Sequence, residues 1–149
     1  MSDVDNWRIA IFDDEFFGNA ISTRWGPVIG GASKGTFTIS ANSGYGFAQL
    51  SSGATGVFAA DLTIANLGQK QFTVNNPLGS VFLKVQLQLS SITTNYCFVG
   101  FTDDVVTSEG PITSAASADT ITTTATDACG FMYDTNMATD NWWLTGVAN

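Results

Sequence analysis

The sequence predicts an all-β chain folded as an antiparallel β-sandwich, on three observations. Helical periodicity is nearly absent. Gly, Ser, Thr and Asn punctuate the chain roughly every 8 to 12 residues, the spacing of a sandwich or barrel. Residues 80–90, SVFLKVQLQLS, alternate strictly: Val81, Leu83, Val85, Leu87 and Leu89 point one way, and Phe82, Lys84, Gln86 and Gln88 the other. That alternation predicts a strand with one buried face and one mostly solvated face.

The other elements follow in chain order. Residues 7–12 alternate and predict an opening strand. The stretch FDDEFFGNAISTRWG, residues 12–26, then sets Asp13, Asp14 and Glu15 between Phe12 and the pair Phe16 and Phe17. Residues 16–18 read as a turn, and 19–25 as a short helical turn capped by Asn19, with Ile21 and Trp25 on one face. Residues 35–40, GTFTIS, carry the β-branched and aromatic content of a strand. Strands are expected at 45–50, 56–60, 61–65 and 70–74, with a loop at 75–79, NNPLG, where Asn-Pro and a following Gly favour a turn.

Three apolar strands close the chain: 95–101 with Cys97, 128–133 with Cys129, and 141–147 with Trp142 and Trp143. Neighbours on a strand face opposite ways, so one Trp of the pair is core and the other lies outside. Between these strands, residues 107–126, TSEGPITSAASADTITTTAT, read as a long polar surface loop with a brief strand at 120–124. Such loops are usually functional or mobile.

The 149 residues suit one domain, 1–149, with a core large enough to fold without staples. Only 12% of residues are charged, so much of the surface is neutral and available to be covered by partners. The net charge is -8, and all five Lys and Arg precede residue 85, while seven acids follow it. No basic patch awaits a phosphate backbone, which argues against direct nucleic-acid binding. No apolar run reaches the roughly 18 residues of a membrane span. The acidic start, MSDVDNWRIA, does not read as a secretory leader, so synthesis in a reducing cytoplasm is expected, with Cys97 and Cys129 as free, buried core thiols.

The chain has no histidine, which removes His-based acid-base catalysis, Ser-His-Asp triads and His-containing metal sites. Carboxylates are what is left for chemistry. A glycosidase needs two converging acids, and carboxylates spaced two apart along a strand would supply them. Here Asp13, Asp14 and Glu15 are consecutive and the rest are scattered, or paired as Asp103 and Asp104. The sequence therefore predicts no catalytic residues and no cofactor. Asp13, Asp14, Asp103 and Asp104 are the oxygen ligands a calcium ion would use if they met in space, but no loop has the spacing of a dedicated calcium motif.

The motif FDDEFFGNAISTRWG resembles the opening of concanavalin-like β-sandwich (jelly-roll) domains, which often begin F-x-D-[DE]-F, followed by Gly or Ser, an aliphatic residue and a Trp. VFLKVQLQLSSI, YCFVGFTDD and TDACGFMYDTNMATDNWWLTGVAN are similar to concanavalin-like domains of tailed-phage virion proteins. The likeness runs from about Trp7 to Asn149. It implies a capsid decoration or cement protein on the outside of a phage head, made in the host cytoplasm. The partner implied is the major capsid protein, with the chain a homotrimer. Relatives of this type run on past the stretch matching WWLTGVAN, which implies a sandwich with strands missing or completed by neighbouring subunits.

The interface residues expected on this reading are Trp7, Arg8, Trp142 and Trp143, with residues 1–7 as an arm draped on a neighbour. The alternative is a carbohydrate-binding, lectin-like module of a tail fibre or spike, using exposed aromatics and calcium.

Overall fold

A computed structural model describes residues 14–17, 20–29, 35–40, 46–52, 63–64, 82–104, 110–114 and 120–149. Over these residues the protein is all-β, and every strand pairing is antiparallel. The expected strands at 7–12, 56–60 and 70–74 and the arm at 1–7 lie outside the described residues.

Two small ribbons come first. Strand β1 (Val28–Ile29) pairs with β4 (Thr63–Ile64). Strand β2 (Thr36–Ile39) pairs with β3 (Ala48–Ser51) in the register Phe37 to Leu50. The β2 and β3 pair matches the strands expected at 35–40 and 45–50.

Beside this ribbon Trp25 packs its ring against Phe16 at 5.7 Å and edge-on against Phe37 at 5.8 Å. Asp14 locks that corner: one carboxylate oxygen accepts the Phe16 backbone N–H at 3.0 Å, the other the Trp25 indole N–H at 2.7 Å. The first bond closes a local turn and holds Phe16 at a φ of 53°, which non-glycine residues rarely adopt. Over the described part, residues 20–25, of the helical turn expected at 19–25 there is no helix. A single turn closes from the Trp25 N–H to the Ser22 carbonyl instead, because the ring contacts of Trp25, not a helical face, decide its position.

The main sheet is three-stranded, in the order β5 (Tyr96–Thr102), β8 (Ala128–Asp134), β9 (Trp142–Val147). The register sets Phe98 opposite Met132 and Met132 opposite Trp143. Alternation then gives the sheet two faces. One carries Tyr96, Phe98, Ala128, Met132, Trp143 and Val147 and packs on Ile112, Ala125 and Met137, which is where the core sits. Gly130 lies in this face where a side chain has no room: a Cβ there would meet the Val99 carbonyl and, at 2.9 Å, the Phe98 ring.

The core is closed by a hairpin that the sequence reading assigned mostly to a polar surface loop. Within 107–126, β6 (Ile112–Ser114) pairs with β7 (Ile121–Thr123), and Ile112 is fully buried. One apolar side chain among many small polar ones is too faint a periodic signal to mark a strand, yet it is enough to dock the hairpin. The brief strand expected at 120–124 corresponds to β7. Tyr96 reaches across Gly110, where a Cβ would collide with the phenol, to donate its O–H to the Ile112 carbonyl at 2.7 Å.

Residues 82–89, expected as the clearest strand, join no ladder among the described residues. Leu83, Val85 and Leu87 line one side of a groove, but all three stay exposed, as does Phe82 at 90%, so the buried face expected of this segment is not formed. None of the backbone hydrogen bonds among the described residues involves them. Alternation specifies a two-faced extended chain, but it does not specify a ladder partner.

Candidate functional site: an open apolar face

The second face of the main sheet is built by the same alternation. It carries Val99 and Phe101 from β5, Cys129 and Phe131 from β8, and Trp142 and Leu144 from β9. Val99, Phe131 and Leu144 form one row across the three strands. Segment 82–89 crosses this side and turns Leu83, Val85 and Leu87 toward it, leaving a groove of about 530 Å³ between segment and sheet. The groove is incompletely covered, with Phe131 54% and Leu144 72% exposed. Full burial of such a side chain is worth about 1.5–3 kcal/mol. A row of them left open is a surface suited to covering by something else.

One end of this face is rigid. Tyr133 is buried there, donates its hydroxyl to the Ile92 carbonyl at 2.8 Å and stacks on Trp142 at 5.5 Å. Trp142 is thereby held in place while 45% of it stays exposed. Trp143 faces the other way, half-buried against the core, with its indole N–H buried and without an acceptor among the described residues. The Trp pair is split between the two faces as strand geometry requires. Trp7 and Arg8 lie outside the described residues.

The chemistry of the groove is limited. Apart from the Cys129 thiol and the Trp142 indole, its lining side chains are hydrocarbon. Cys129 is exposed rather than core, because position 129 falls on the open face. Cys97 is half-buried, and burial pushes its thiol pKa up. Both thiols are free.

The carboxylates are committed elsewhere. Asp13 lies outside the described residues. Asp14 holds the Phe16 and Trp25 corner. Asp103, just past β5, accepts the Thr126 hydroxyl and the Asp127 N–H, and these bonds hold its carboxyl below the usual carboxylate range. The Asp104 N–H bonds the Thr102 hydroxyl, so this pair closes a turn at the end of β5. Among the described residues no three His, Cys, Asp or Glu come together as a metal site.

Among the described residues the one fully buried carboxylate, Asp134, faces the hairpin and not the groove. It accepts the Ser114 hydroxyl at 2.7 Å, the Ser114 N–H at 3.2 Å and the Asn136 N–H at 2.9 Å, which compensates its burial. Tyr96, its pair in the ladder, has its phenol pKa raised, first by burial and then by the charge of Asp134.

No family model, no curated protein and no solved structure matches this chain. The open face therefore has to be read from its own residues. Phe131, Leu144, Val99 and Phe101 were not among the interface residues expected from the sequence. The signal was present: ACGFMY and WWLTGV are apolar at both odd and even positions, the mark of a strand that needs cover on two sides.

Proposed function

We propose that this chain is a non-enzymatic structural protein of a virion, a capsid decoration or cement protein on the outside of a phage head. The observation that supports the reading is the open row Val99, Phe131 and Leu144 with the propped Trp142 beside it, on a sheet whose other face is already filled. An apolar face lined by one thiol, one indole and otherwise hydrocarbon can bury area against a protein, and aromatic anchors in such a face dominate binding energy. The resemblance to concanavalin-like phage domains supplies the partner class, the major capsid protein. The chain's contribution would be mechanical: added buried surface across adjacent capsid subunits, resisting the pressure of packaged DNA.

The test is co-sedimentation with phage capsids. The unaltered chain is expected to pellet with particles, and Leu144→Lys with Phe131→Lys to remain in the supernatant while still folded. Equal pelleting of the two proteins would overturn the reading.

Exposed Trp142, stacked on Tyr133, also favours a second reading as a lectin-like module of a tail fibre or spike, since such a ring can stack on a sugar. A glycan array run with and without chelator separates the two: sugar binding without capsid binding supports the lectin.

A further inference from the structure

We draw no further inference here: the strongest candidate, the open apolar face of the β5, β8 and β9 sheet with segment 82–89 lying across it, belongs to the site already described, and nothing in the structure shows what covers it.

Discussion

The hydroxyl of Ser114 donates to the carboxylate of Asp134 at 2.7 Å, and this bond ties β6 to the end of the main sheet. Ser114 offers its backbone N–H to the same oxygen, and Asn136 binds the other. Asp134→Ala would leave three donors without their acceptor. Hydrogen bonds to a charged group are worth roughly 1.5–3 kcal/mol each, so the variant should lose at least about 3 kcal/mol in a urea titration. Ser114→Ala, which keeps the N–H bond, should lose about 1–2 kcal/mol. Equal losses in the two variants would show that the carboxylate does not organise this corner.

Asp14 and Trp25 form the corresponding lock near the β2 and β3 ribbon, at 2.7 Å. Trp25→Phe keeps a ring against Phe16 and Phe37 but removes the indole donor. A double-mutant cycle with Asp14→Ala should give a coupling of about 1–2 kcal/mol. A coupling near zero would mean that ring packing alone positions Trp25.

Alkaline pH should destabilise the fold through Tyr96 and Cys97. Burial raises both groups above their ordinary values, so the folded state holds protons that the unfolded chain releases. Stability is then fully present below the unfolded values, about 8.5 for a thiol and 10 for a phenol, and falls as pH rises above them. Urea midpoints at about pH 7, 9 and 10.5 should decline, and Tyr96→Phe should flatten the last part of the decline. A midpoint independent of pH would contradict this account.

The two thiols should differ in reactivity. Cys129 stands exposed on the open face, whereas Cys97 is half-buried with a raised pKa. At about pH 8 iodoacetamide should label Cys129 at least tenfold faster, read by peptide mass spectrometry. Covering the face with a bound partner should slow labelling at Cys129.

Strands β5, β8 and β9 were legible because their apolar runs are bounded by turn residues, and alternation already split Trp142 from Trp143. Of the acidic run at 13–15, Asp14 binds a backbone N–H and an indole, and Asp13 lies outside the described residues. The β6 strand was not legible, since Ile112 alone carries its apolar signal. Nor was the exposure of Cys129, which depends on which face of β8 the hairpin covers.

By itself the sequence determined that the chain is β, where its strongest strands run, and that histidine chemistry is unavailable to it. Local alternation and residue identity suffice for those conclusions. Only the tertiary structure decided that one face of the β5, β8 and β9 sheet is filled by Ile112 and Met137 while the other stays open along Phe131 and Leu144. It also decided that 82–89, with the most regular pattern in the chain, lies over that open face without a ladder among the described residues. The physical reason is the same in both cases: a side-chain period of two says that a face exists, and long-range packing says what covers it.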